Sequence, residues 1–285
     1  GAGMQKLLAQ ARGEAQAERT CKPAIPSTTR AHETACAHAE HFGQEGDRAV
    51  GVPEQRHQRG RRVGPVPRLG AGLAKLTHTP ELMMTDGECY LVEQPVPLGP
   101  RAYDDRKKAG YLPFSRFFDS AVWTGRRHAM VTPTQIDRFG QINLSQLGGT
   151  HKQPKTQMLG VRGFPGNTIY HPNSFFFPSH TTRVFVEGEV DMVSGVGYNP
   201  AKRIAGGNYS GVALKKIITN LCVMDFGGTD NAVRVVSLHP GVTFQDVQAA
   251  TGFPLEKGDL VETPLPDADA LAIIAQLDPH NIRAS

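Results

Sequence analysis

Four glycine-bearing segments gather the side chains in this 285-residue sequence that are suited to chemistry. They are Thr85-Asp-Gly-Glu88, Gln135-Ile-Asp-Arg-Phe-Gly-Gln-Ile-Asn143, Gly160-Val-Arg-Gly-Phe-Pro-Gly-Asn167 and Asp225-Phe-Gly-Gly228. Singly, each is a weak signal, because glycine in a loop serves a turn more often than a ligand. The third is the most informative. Arg162 stands between glycines, where backbone can approach a ligand closely and the guanidinium has little beside it. Such an arginine can hold a carboxylate or an enolate oxygen through charge-assisted hydrogen bonds worth about 1.5–3 kcal/mol each. An arginine that pairs with a neighbouring acid to fix its own loop has the same spacing, so both readings stay open. Asp137-Arg138 beside Gly140 reads as a turn with an exposed ion pair. Asp225-Phe-Gly lacks the phosphate loop and HRD segment that a kinase needs, which excludes that chemistry. His32, Cys36, His38 and His41 lack the paired frame of a metal site, so no metal is expected.

The elements that must position these segments are short. Gly70–Leu76 reads as the end of a helix and Glu81–Thr85 as a short buried strand. Further strands are expected at Arg127–Thr132, Arg183–Glu187, Lys216–Thr219, Cys222–Asp225 and Ala232–Ser237, each bounded by Gly, Pro or Asn. Thr243-Phe-Gln-Asp246 resembles a capping box at a helix start, and Asp267 precedes an apolar stripe of Leu271, Ile273, Ile274 and Leu277. Strands mixed with helices and short loops predict an α/β fold, an open layered sheet with flanking helices, over residues 70–285. Residues 1–69 read differently. A short amphipathic helix is expected within 1–20, followed by an Arg/Gly/Pro-rich passage without periodicity, which predicts an irregular, poorly ordered segment.

Charge and cysteines narrow the function. Residues 1–75 carry a net charge of +5 and residues 76–285 a net charge of −1, so the basic character belongs to the irregular segment. A nucleic-acid binder carries its basic face on the folded body, and nucleic acid is therefore set aside. No apolar run approaches the roughly 20 residues that span a bilayer, so no membrane association is expected. Four scattered cysteines without a CxxC pair fit a reducing cytoplasm.

Several of these segments, in this order, resemble the beta subunit of class I CoA-transferases. The resemblance rests on Thr134–Asn143, Gln153-Pro-Lys-Thr156, Ser237-Leu-His-Pro-Gly-Val-Thr243, Thr251-Gly-Phe, Thr263-Pro-Leu-Pro-Asp267 and Leu277-Asp-Pro279, and spans about Gly70 to the C-terminus. Thr85–Glu88, Gly125-Arg-Arg-His128, Gly160–Asn167, Val193-Ser-Gly-Val-Gly-Tyr198 and Asn220–Gly228 are most similar to the family's hydrolase branch, which opens the last steroid ring in cholesterol breakdown. The resemblance implies a CoA-transferase-like fold, an alpha-subunit partner in an α2β2 assembly, an active site at the subunit interface and an acyl-CoA substrate. It implies no bound cofactor, coenzyme A entering as part of the substrate.

Transferases of this class use a glutamate nucleophile in a Glu-x-Gly turn, and the matching position here is Thr85 in Thr85-Asp86-Gly87. That favours hydrolysis over group transfer. The implied reaction is a retro-Claisen ring cleavage, with a glutamate of the alpha subunit as base and Arg162 stabilising the oxyanion. In that reading Asp86 and Glu88 position water or shape the pocket, a purely structural role for either standing beside it as the alternative. Gly163, Gly166, Asn167, Gln135 and Asn143 bind the substrate or fix backbone at the cleft. A transferase using Glu88 or a partner carboxylate, and a non-catalytic pocket-completing subunit, are the alternatives. The family's first strand and Ser-Pro loop are not recognisable ahead of Gly70, and a frame-shifted coding region would give such a passage.

Overall fold

Apolar residues alternate along the central strands and divide the protein into two packed faces. The structure is a computed structural model that describes residues 65–85, 90–100, 107–158, 161 and 164–284. The readings placed on residues 1–64 lie outside the described residues. Helix α1 (Pro65–Leu76) contains Gly70–Leu76 as its C-terminal part. A small antiparallel sheet follows, made of β1 (Met84–Thr85), β2 (Tyr90–Val92) and β3 (Lys108–Tyr111). Helix α2 (Phe114–Phe117) runs directly into a π-helical turn at Phe118–Val122.

Among the described residues the main sheet has six strands in the order β13-β12-β11-β10-β9-β4. They are β4 (Ala129–Val131), β9 (Asn173–Phe177), β10 (Leu214–Thr219), β11 (Cys222–Asp225), β12 (Arg234–Leu238) and β13 (Glu256–Glu262). β4, β9 and β10 run parallel, β10 to β12 form an antiparallel meander, and β13 joins β12 in parallel. Ala129, Val131, Phe175, Phe177, Ile217, Met224 and Val235 pack on one face, while Met130, Phe176, Ile218 and Val223 pack on the other. This period of two is what a sheet covered on both sides requires.

The second face is covered by α1, whose Val66 packs on the Met130 cluster. Helix α5 (Ala268–Leu277) lies beyond, sharing a core of Leu69, Leu73, Ile274 and Leu277 with α1. The first face carries a hairpin of β5 (Gln135–Ile136) and β6 (Ile142–Asn143), an exposed hairpin of β7 (Gln146–Thr150) and β8 (Gln153–Gln157), helix α3 (Phe164–Tyr170) and helix α4 (Phe244–Ala249). The expected capping box at α4 is present with both reciprocal bonds, and Asp267 caps α5 by accepting from the Ala270 amide.

Two local expectations are corrected. Arg183–Glu187 forms a turn with a single bridge, Phe185 to Ile136, because the amides of Val184 and Phe185 are both drawn back to the Thr181 carbonyl. Asp137 and Arg138 do not pair in solvent. The hairpin folds down onto the sheet, burying Asp137 to 1% exposure and sending Arg138 to Glu256 at 3.1 Å.

Candidate active site

The β5–β6 hairpin is held from inside by its own polar groups. Asp137 Oδ1 accepts from the amides of Phe139 at 2.9 Å and Gln141 at 3.0 Å, closing the turn. Burial pushes the Asp137 carboxyl up to about 7, with the nearby Glu189 charge adding to the shift and the turn amides opposing it. Its second oxygen is buried without a hydrogen-bond partner. At the other end of the hairpin, Asn143 Nδ2 donates to Gln135 Oε1 at 2.7 Å and to the Gln146 carbonyl at 2.6 Å. Asn143 Oδ1 accepts from the amide of Ser145, and Gln135 Oε1 accepts from that of Asp191. Gln135 and Asn143 are buried, at 7% and 0% exposure, so within this chain they hold backbone.

Helix α3 carries the end of the Gly160–Asn167 segment and is fastened to that hairpin by residues 193–198. Ser194 Oγ accepts from the Leu144 amide, Gly195 bridges Ile142, and Thr168 Oγ1 of α3 accepts from the Val196 amide at 3.1 Å. Gly195 admits no side chain without displacement: a Cβ there would lie 2.9 Å from Ile142 Cγ1, 2.9 Å from Thr168 Cγ2 and 3.0 Å from Phe164 Cε1. At Gly197 a Cβ would meet backbone atoms of Phe139, Gly140 and Gln141. The chain thus brings Gly166 and Asn167 together with Gln135 and Asn143 through one intervening strip. The Asn167 side chain is half-buried and makes no hydrogen bond to another described residue, whereas its carbonyl accepts from Asn173 Nδ2 at 3.0 Å.

Of the other sequence-predicted site residues, Arg162, Gly163, Asp86 and Glu88 lie outside the described residues. Thr85 is the last residue of β1. Asp225 proves to be a scaffold group: it binds Arg234 at 2.7 Å, accepts from the Gly227 amide and lies 3.7 Å from Lys216 Nζ. Sequence reasoning assigned no role to Ser194, Gly195, Gly197 or Thr168. The Ser-Gly-x-Gly spacing of residues 194–197 was the signal, since small residues in alternation mark backbone packed against backbone. Among the described residues there is no group of three or more side chains placed to hold a metal ion, and no helix is long and apolar enough to cross a membrane.

No protein-family model matches the sequence. Individual relatives do. The cholesterol ring-cleaving hydrolase IpdB subunit of Mycobacterium tuberculosis is 44% identical over 223 residues, which cover 75% of this chain and 85% of the relative. That of Rhodococcus jostii RHA1 is 40% identical over 267 residues, covering 91% of this chain and 96% of the relative. The crystal structure of Rhodococcus jostii RHA1 IpdAB matches with a TM-score of 0.78 at 40% identity, over 90% of this chain and 96% of the matched one. Glutaconate coenzyme A-transferase from Acidaminococcus fermentans shares the fold, with a TM-score of 0.73 at 22% identity over 90% of this chain and 97% of that one. The CoA-transferase-like α/β architecture expected from sequence is therefore the one observed, and this chain belongs to the family of cholesterol ring-cleaving hydrolase IpdB subunits.

Proposed function

We propose that this chain is the beta subunit of a heteromeric hydrolase that cleaves a ring carbon–carbon bond in a steroid-derived CoA thioester. The observation that carries this reading is the 40% identity to the Rhodococcus IpdB subunit over 91% of the chain, together with a TM-score of 0.78 to IpdAB. An alpha subunit completes the site in an α2β2 assembly and supplies a glutamate base. Coenzyme A enters as part of the substrate.

In this reading the base takes a proton from water, and the resulting hydroxide adds to the ring ketone carbon. As the tetrahedral centre collapses, the bond to the carbon next to the thioester breaks. The electron pair leaves as a thioester enolate, which takes up a proton. The product carries a new carboxylate and an intact thioester. Arg162 stabilises the developing oxyanion, Gly163, Gly166 and Asn167 line the substrate, and Asp86 and Glu88 place water. Gln135 and Asn143 act through the backbone they hold. Thr85 supplies no carboxylate for an acyl-enzyme, which is why hydrolysis is favoured over transfer to an acceptor.

The test is turnover of the reconstituted complex on a panel of cyclic ketone CoA thioesters in ¹⁸O-labelled water. Label in the new carboxylate without an acceptor acid is expected, and Arg162→Ala should lower kcat by about 10²–10³-fold. Ping-pong kinetics with coenzyme A trapped on this chain would instead establish a transferase.

A further inference from the structure

The ends of β4 and α3 enclose a cation that has no counter-charge among the described residues. Arg127 is 5% exposed, yet its guanidinium forms no ion pair or hydrogen bond with any described residue, and its Nε is buried without a partner. The centroid of the Phe117 ring lies 5.0 Å from its Cζ. Burial alone lowers the guanidinium to about 10, the direction expected where no acid compensates desolvation. Parallel pairing of Ala129 with Asn173 sets Arg127 beside His171, which leads into β9. Both offer further unsatisfied groups: His171 Nε2 and Asn173 Oδ1 are buried without partners.

Around this cation the surface is aromatic. Phe117 meets Phe118 edge-on at 6.1 Å, and Phe118 lies 6.0 Å from Trp123. Trp123 is 56% exposed, and Tyr170, whose carbonyl faces Gly125, is 47% exposed. Arginine with Trp and Tyr is the composition of an interface hot spot.

We infer that Arg127 and the Phe117–Trp123–Tyr170 surface form a docking site for an acidic side chain of the alpha subunit. This rests on the heteromeric reading above. A permanent partner fits better than a ligand that comes and goes, because each departure of a ligand would leave a buried guanidinium unpaired. The surface also continues along α3, the helix that carries Gly166 and Asn167, so a subunit that completes the site covers it.

The experiment measures association of the purified alpha subunit with this chain, without substrate. Arg127→Ala should weaken it by about thirtyfold or more, Trp123→Ala by about tenfold, and exposed Arg126→Ala by little. Arg127→Lys, which keeps the charge but not the planar fork, should recover part of the loss. Isolated Arg127→Ala chain should melt no lower than the parent chain. Unchanged association would overturn the inference. So would an equal loss of stability in the isolated chain, which would place the counter-charge within it. A rise in KM for the thioester with association intact would also overturn it, by assigning the guanidinium to a substrate phosphate. Tight, Arg127-dependent assembly that lacks hydrolase activity would defeat the function proposed above and leave this inference standing.

Discussion

Gly195→Ala is the substitution through which the packing of the candidate site can be tested most sharply. The added Cβ would sit at 2.9, 2.9 and 3.0 Å from Ile142, Thr168 and Phe164, where ordinary contacts begin at 3.4 Å. Ile142 and Thr168 are fully buried and Phe164 is 9% exposed, so none can retreat into solvent. Overpacking of this kind costs about 1–3 kcal/mol. A chain of this size loses roughly 2–4 °C of Tm per kcal/mol, which places the expected drop at roughly 2–12 °C. The strain is relieved by moving α3 off the hairpin, and displacement of a positioning element by about 1 Å can cost on the order of 10²-fold in turnover. Gly166→Ala is the contrast. Its Cβ would lie 3.8 Å from the Tyr170 ring, an ordinary contact, and alanine in a helix is favoured over glycine by up to about 1 kcal/mol. Differential scanning calorimetry of the two variants, with kcat of the reconstituted Gly195→Ala complex, reads both effects. A Tm unchanged by Gly195→Ala would refute the argument that this glycine sets the spacing of α3 and the hairpin.

Three further outcomes follow from the buried polar groups. Burial lowers His171 to about 4 and His180 to about 3, so between there and about 6.5 only the unfolded chain takes up these protons and acid destabilises; Asp137, raised to about 7, opposes this from about 4 to 7. Two groups against one make acid destabilise the protein below about pH 6.5, and Asp137→Asn should steepen that loss; parallel curves of Tm against pH for the two proteins would count against it. Asn143→Ala removes the donor to the Gln146 carbonyl and the acceptor of the Ser145 amide, while Gln135 Oε1 keeps the Asp191 amide; at about 1–3 kcal/mol for each stranded group the unfolding free energy should fall by about 2 kcal/mol or more, read as a lower denaturation midpoint at unchanged m. The Cys222 thiol is fully buried and pushed up to about 12, so peptide mapping after alkylation at pH 8 should find it unmodified in the folded protein and modified in urea.

Much of the frame was legible because its signals are local. Cys222–Asp225 alternates or runs apolar between turn residues and forms a strand where the pattern puts it, and Thr243 and Asp246 carry their helix start in four residues. β9 was not legible. Asn173-Ser-Phe-Phe-Phe177 is buried along its whole length, so the contrast between faces that reveals a strand is absent, and prolines stand on both sides. β13 was hidden for the opposite reason: it is an edge strand in Glu-Lys-Gly-Asp, whose charges protect an open edge and read as loop. At the site, spacing showed that Gln135–Asn143 and Gly160–Asn167 were suited to chemistry. It could not show that residues 193–198 join them, because those contacts link positions about thirty to fifty residues apart through atoms a sequence pattern does not contain.

The handedness of chain connections explains why these segments must meet. β4, β9 and β10 are parallel and lie side by side in chain order, so the crossovers from β4 to β9 and from β9 to β10 advance in the same direction across the sheet. Right-handed crossovers that advance the same way lie on the same face. The first crossover contains the hairpin, the Gly160–Asn167 segment and α3, and the second contains residues 193–198. Their core residues, Ile142 and Phe164 from the first and Phe185 from the second, all belong to the cluster on the Phe175 face. Topology therefore delivers the two connections to one place, and the absence of side chains at Gly195 and Gly197 fixes how closely they approach. A substitution at either glycine changes the distance between the loops without altering the topology that brings them together, so its effect should fall on turnover and local packing while the six-stranded sheet persists.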